Sequence, residues 1–133
     1  MSNWTHVAGI VRVDCMRGLV KEPDFEQIFG KELSYEDLDE VFEDAEAHPE
    51  KYLPIGSEGS LNMSVWTNPC EMDIAAYTVS IFGDLRDHHD PDAIIDWFKE
   101  KCSKVWVRNA CITVENERAG TRNWVYEDKN EDK

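Results

Sequence analysis

Apolar residues recur along the chain at two different spacings. From Trp4 to Asp14 they alternate with polar residues, as Val11 and Val13 do around Arg12, which predicts a strand with one buried face. In the segment that follows Ser34 they recur at intervals of three and four, the spacing of an amphipathic helix. Alternation and short apolar runs predict strands at residues 4–14, 61–65, 75–82, 105–115 and 123–127.

Two helices separate these strands, and each has a start signal. Ser34 followed three positions later by Asp37 is a capping pattern, because the serine hydroxyl accepts from a free backbone N–H. Proline suits the first position of a helix, so Asp90 and Pro91 open the second one. We expect the apolar residues of the first helix to point inward: Leu38, Val41, Phe42 and Ala45.

The order strand, helix, strand, strand, helix, strand resembles that of a ferredoxin-like α+β sandwich, with one extra C-terminal strand. The resemblance implies an antiparallel sheet whose central strands are the first and the third, with both helices on one face. We expect one domain over residues 1–127 and a flexible acidic tail at 128–133. The topology implies no activity, because this architecture has many unrelated functions.

Composition narrows the class of partner. Among 133 residues there are 28 acidic and 14 basic side chains, a formal net charge of −14. Such a charge disfavours direct contact with nucleic acid or an anionic membrane and favours a cationic partner. The N-terminus lacks the order of a signal peptide, so we expect a cytoplasmic protein, in the host cytoplasm if a phage encodes it. The four cysteines form no CxxC pair, and we expect reduced thiols, mostly buried.

The segment IFGDLRDHHDPD is the stretch with the most obvious potential for chemistry. If the first and third strands are antiparallel neighbours, His6 approaches the residues that end the third strand. This grouping gives an alternative prediction of a metal site or a general acid/base site, made of His6, Asp84, His88 and His89. Helix capping by Asp90 and ordinary turn chemistry explain the same residues without any site. We favour that explanation and expect no catalytic residue, metal or cofactor.

Tryptophans suggest a second alternative. Trp66 lies on the strand face opposite Leu61, Met63 and Val65, so it is expected on the side of the sheet that the helices leave uncovered. A nucleotide-sized ligand stacked there is one possibility, and a homodimer contact is another. The alternative ligand site consists of Trp66, Trp106, Trp124 and Arg118.

Acidic residues are concentrated early in the chain. Between Glu22 and Glu50 there are twelve acidic residues and one lysine, which supplies −11 of the net −14. On the first helix we expect the partner-binding carboxylates to be Glu36, Asp39, Glu40, Glu43, Asp44 and Glu46. A solvated face is one explanation. The other is a surface that docks on the basic groove of a partner, such as a nucleic-acid-binding protein.

Small acidic proteins that inhibit nucleic-acid enzymes, including phage-encoded anti-defence proteins and immunity proteins, resemble this chain in size and charge. The expected function is therefore a non-enzymatic binding or inhibitor protein. Two alternatives stay open, a small metal- or nucleotide-dependent protein and a homo-oligomeric structural protein.

Overall fold

Residues 2–16, 23–67 and 74–127 are described by a computed structural model of the chain. The strands in these ranges are β1 (Trp4–Met16), β2 (Ile55–Gly56), β3 (Gly59–Ser60), β4 (Asn62–Thr67), β5 (Ile74–Arg86), β6 (Val107–Asn116) and β7 (Gly120–Val125). The helices are α1 (Phe25–Phe29), α2 (Tyr35–Ala47) and α3 (Pro91–Cys102), and a 3₁₀ turn covers Pro49–Lys51. No helix in these ranges is long and apolar enough to cross a membrane.

The predicted tail at 128–133 and Cys70 lie outside the described residues, as does the side chain of Cys15. Cys102 and Cys111 are both free thiols. Cys102 is buried as expected, and its burial raises the pKa of the thiol to about 12. Cys111 is exposed, which the sequence did not predict.

Five of the strands form one sheet in the order β4-β5-β1-β6-β7, and every neighbouring pair is antiparallel. The expected α+β class with an antiparallel sheet is confirmed. β1 lies at the centre, between β5 and β6, and its residue His6 lies opposite Asp84 of β5. β5 is longer than predicted and continues to Arg86, so Asp84 is a strand residue and not the turn residue that the sequence suggested.

The main core lies on one face of this sheet. The odd-numbered valines of β1, Val7, Val11 and Val13, are at most 5% exposed. α3 packs against β6 and β7 on this face, and its residue Phe98 is fully buried in the same core. Asp90 caps the helix by accepting from the N–H of Ala93 at 3.1 Å. The predicted start of α3 is therefore confirmed.

The first long helix departs from the prediction. α2 begins after Ser34 as expected, with the serine Oγ accepting from the N–H of Asp37. Phe42 was expected to point inward, and this is wrong, because its side chain is 51% exposed. The short helix α1 already fills that side of the main core with Phe25 and Phe29. α2 packs instead on a separate small cluster.

That small cluster consists of Leu33, Ala45 and Tyr52, with Leu38, Val41 and Ile55 packed against it. The expectation that both predicted helices cover the sheet is therefore wrong for α2. Only its inner edge is buried, and a large part of its apolar stripe stays accessible.

The two phenylalanines provide a matched test of this arrangement. Phe98→Ala should lower the free energy of unfolding by about 3–5 kcal/mol, because it leaves a cavity in the main core. Phe42→Ala should lower it by about 1 kcal/mol or less, since the ring is half exposed. Urea unfolding followed by far-UV circular dichroism measures both. Equal losses would contradict the peripheral position of α2.

Candidate functional site

His6 is the best connected of the histidines predicted to form a site. Its Nδ1 lies 2.6 Å from Oδ1 of Asp84, and its Nε2 lies 3.5 Å from Oε2 of Glu117. The hydrogen bond to Asp84 raises the pKa of His6 above its ordinary 6.5, with desolvation opposing the shift and Glu117 adding to it. The predicted approach of His6 to Asp84 is thus confirmed, as an exposed pair.

The two adjacent histidines of the predicted cluster have other partners. The Nδ1 of His89 lies 2.8 Å from Nδ2 of Asn3. The carbonyl of His88 accepts from Oγ1 of Thr5 at 2.6 Å and from Nδ2 of Asn116 at 3.2 Å. Burial lowers the pKa of the His88 imidazole. In the described part of the chain, no group of three or more His, Cys, Asp or Glu side chains is placed to hold a metal ion.

The loop that carries these histidines is held by hydrogen bonds of its own. Asp87 adopts a positive φ of 60°, and its N–H donates to the carbonyl of Asn3 at 2.7 Å. Its Oδ2 accepts from Oγ of Ser57. Asp92, in the first turn of α3, forms an ion pair with Arg122 of β7 at 3.0 Å. Turn contacts of Asp87, the cap at Asp90 and the ion pair of Asp92 therefore account for three aspartates of this segment, while Asp84 pairs with His6.

Buried polar residues that were not predicted from the sequence anchor this loop. Asn116 is 2% exposed, and its Nδ2 donates to Oγ1 of Thr5 at 2.9 Å. Thr5 itself has no exposed surface. The Oδ1 of Asn116 accepts from the N–H groups of Arg118 and Ala119. Thr5 and Asn116 lie on the buried face of their strands, where the neighbouring positions, Val7 and Val114, are apolar. A polar residue at such a position is typical of a structural polar pair.

The predicted aromatic ligand site is not assembled as a unit. Trp66 is 55% exposed on the edge strand β4, on the uncovered side of the sheet as predicted. Trp124 lies on β7 at the opposite edge and packs edge-on against Phe98 on the core side, with ring centroids 5.8 Å apart. Trp106 is 67% exposed just before β6, and Arg118 lies in the turn between β6 and β7.

The acidic residues of α2 form the second candidate site. We call Glu36, Asp39, Glu40, Glu43 and Glu46 the α2 carboxylates. All five are exposed, and none of them forms an ion pair with any residue in the described ranges. Asp44, predicted with them, differs. It accepts from the Tyr52 hydroxyl at 2.5 Å and pairs with Lys51 at 3.4 Å, so it anchors the helix to the 3₁₀ turn.

The electrostatics of Asp44 follow from this contact. The hydrogen bond from Tyr52 lowers the pKa of the Asp44 carboxyl, and Lys51 lowers it further. The same hydrogen bond raises the pKa of Tyr52. Asp44 therefore stabilises the attachment of α2 and is removed from the set of carboxylates free to meet a partner.

An apolar groove runs between α2 and α3, beside the α2 carboxylates. Its volume is about 390 Å³. Leu38, Phe42 and Glu46 line it from α2, and Ala93, Ile94 and Trp97 line it from α3. The groove exists because α2 packs off the sheet and leaves its apolar stripe beside α3, which the sequence pattern alone does not indicate.

A scan against protein-family models and searches of curated proteins and of solved structures found no match to this chain. Function must therefore be inferred from the groups that the fold brings together.

The histidine environments predict different titrations. His6 should titrate above 6.5, and Asp84→Asn should bring its pKa down, because the carboxylate stabilises the imidazolium. His88 should titrate below 6.5, because burial disfavours its charged form. Imidazole resonances followed by NMR across pH measure each residue separately. His6 titrating below His88 would contradict at least one of the two assignments.

These shifts also have opposite effects on stability. The contribution of His6 to the free energy of unfolding is complete below pH 6.5, and it is lost as the pH rises through the higher pKa that His6 has in the folded state. The contribution of His88 is lost as the pH falls from 6.5 towards its lower folded-state pKa. Both side chains are partly exposed, so the measurable effect on unfolding is small.

The metal alternative has its own test. Because His6 pairs with Asp84, His89 contacts Asn3 and no group of three possible ligands is assembled among the described residues, Zn²⁺ or Mn²⁺ at a saturating concentration should leave the melting temperature of the protein unchanged. A ligand that binds only the folded state raises that temperature. A clear rise that His6→Gln abolishes would restore the metal-site hypothesis.

Proposed function

We propose that this protein is a non-enzymatic binding protein whose α2 surface docks on a basic surface of a partner protein. The α2 surface comprises the five α2 carboxylates and the apolar groove beside them. A partner with a nucleic-acid-binding channel suits this surface, and occupation of that channel would inhibit the partner. The observation that carries the proposal is the absence of ion pairs for these five carboxylates within the described ranges.

Charge spacing supports this choice of partner. Residues three and four apart on a helix have Cβ atoms about 5–6 Å from each other. Glu36, Glu40 and Glu43 follow this spacing, as do Asp39, Glu43 and Glu46. Like charges so placed destabilise an isolated helix by a few tenths of a kcal/mol per pair. A cationic partner would remove that repulsion and accelerate encounter by electrostatic steering.

The groove supports the proposal independently of charge. Charged rims mainly affect the rate of association and the choice of partner, whereas buried aromatic anchors supply most of the affinity. Phe42 is half exposed at the groove, and Trp97 lines its other side. An apolar side chain of the partner inserted between them would bury both rings, while the partner's lysines or arginines would meet the α2 carboxylates.

We also propose that the sheet is ferredoxin-like, with β7 as the added strand. The support is that β1 lies between β5 and β6, while α3 connects β5 to β6 across it. In this assignment α1, which packs in the main core, takes the place of the first helix, and the hairpin of β2 and β3 and the peripheral α2 are additions. This assignment has no bearing on the proposed binding activity.

Charge reversal tests the docking surface. Glu40→Lys with Glu43→Lys should abolish capture of the partner from the native cytosol, because it replaces attraction by repulsion. Glu58→Lys with Glu127→Lys is the matched control, with the same net charge and two exposed positions outside α2. Since Glu58 lies 3.6 Å from Arg86, circular dichroism checks that this control is folded. Quantitative mass spectrometry at low and high salt measures capture, which should fall as salt rises. Equal, salt-insensitive capture by both variants would refute the proposal.

Removal of one aromatic ring tests the groove. Phe42→Ala should weaken binding to the captured partner by about tenfold or more, as truncation of an interface anchor does. Tyr35→Ala is the control, since Tyr35 is 67% exposed on the same helix and does not line the groove. Isothermal titration calorimetry measures both affinities. If the two substitutions have equal effects, the groove makes no specific contact.

A further inference from the structure

The face of the sheet opposite the main core is uncovered in the described structure. The even-numbered residues of β1 point to this face, and Ile10 in the central strand is 46% exposed. Phe82 of the adjacent strand β5 is 43% exposed. We call this side of the sheet the open face.

Apolar side chains on the open face are contiguous across four strands. Ile10 lies opposite Cys111, which lies opposite Val125, so these three form one row across the sheet. Phe82 and Ala8 are paired in the next row. Trp66 on β4 lies apart from this patch, in the row of Thr78 and Arg12. An antiparallel sheet tolerates one wet face, but that face is usually polar. Ser80 and Thr113 border this patch on the same face, and an exposed apolar patch of this kind indicates an interaction site.

Charges on the open face are separated along the strand direction. At one end Arg12 is half buried and, within the described ranges, forms no ion pair. Arg108 lies at the same end and is 3.5 Å from Asp14. At the other end the row of His6 contains Asp84 and Glu115. Asp14 offsets Arg108, so Arg12 is the uncompensated charge at this end. The open face thus has a net positive end, an apolar patch in the middle and a net negative end.

We infer that the open face binds a second copy of this chain. A twofold axis that lies in the interface and runs across the strands places the Arg12 end of one copy over the His6, Asp84 and Glu115 end of the other. The apolar middle then packs on itself. Such an interface is isologous, and each copy supplies the charge that the other lacks.

The size of the open face and the distribution of the net charge both favour a second copy of the chain as its partner. From His6 to Arg12 and across five strands the face measures about 20 by 24 Å, and side chains raise its accessible area towards the roughly 800 Å² per partner of a standard interface. The segment from Glu22 to Glu50, which supplies −11 of the net −14, contributes α1 and α2. α1 packs in the main core and α2 lies beside α3, so most of the repulsion between two copies is kept away from the open face.

The inference does not depend on the proposed docking of α2. The two surfaces lie on opposite sides of the sheet, and each has its own variants. Phe82→Arg should make the protein monomeric, whereas Phe42→Arg on α2 should not, although the two rings are almost equally exposed. Sedimentation velocity from low concentration to roughly 200 µM measures the dimer dissociation constant.

Charge swapping tests the orientation of the two copies. Arg12→Glu should raise the dissociation constant about tenfold or more, because it places like charges opposite each other. Arg12→Glu with Glu115→Arg should restore most of the affinity. Circular dichroism confirms that each variant is folded.

A wild-type protein that stays monomeric up to the highest concentration would overturn the inference. A dimer that Phe42→Arg dissociates and Phe82→Arg leaves intact would also overturn it, because the contact would then be on the helical side. Failure of the double swap to restore what Arg12→Glu removes would refute the antiparallel arrangement of the two copies.

Discussion

The pleat of β1 is the constraint on which the rest of the molecule depends. Successive side chains of a strand point to opposite faces, so a central strand commits every second residue to each side of the sheet. On one side Val7, Val11 and Val13 are covered by the helices. On the other side Ile10 and Arg12 have no covering element in the described structure. A shift of one residue in the pairing of β1 would expose the valines and bury Arg12, which fixes the register strongly.

Charge segregation follows from the same two-layer arrangement. α1 fills the space beside α3 on the covered side, and this excludes α2 from the main core. A helix held mainly by Ala45 and by the contact between Asp44 and Tyr52 can carry many carboxylates, since few of them have to be desolvated. The acidity of α2 is therefore compatible with folding because the helix is peripheral. That position also leaves Phe42 accessible next to the charge.

Sequence alone predicted the features that depend on local chemistry. The period of two in β1, the cap at Ser34 and the start of α3 at Asp90 each involve residues a few positions apart, and all three are present. The pairing of His6 with Asp84 was also predictable, because strand topology determines it. Phe42 was predicted wrongly because helical periodicity identifies an apolar stripe without identifying what covers it. The histidine loop was ambiguous for a related reason, since the backbone carbonyl of His88 is held by Thr5 and Asn116, which are distant in sequence.

The two proposed surfaces are sterically compatible, and this has a consequence for affinity. Two copies joined through their open faces would carry their helical layers, and with them both α2 surfaces, on the outside of the dimer. A partner with two basic sites, or a symmetric partner, would then meet both surfaces at once, and the second contact would be intramolecular. Modest docking through one half-exposed aromatic ring and a charged rim would then suffice for tight binding. A monomer would need the whole affinity from one groove of about 390 Å³. The open face would thus contribute to partner binding without touching the partner.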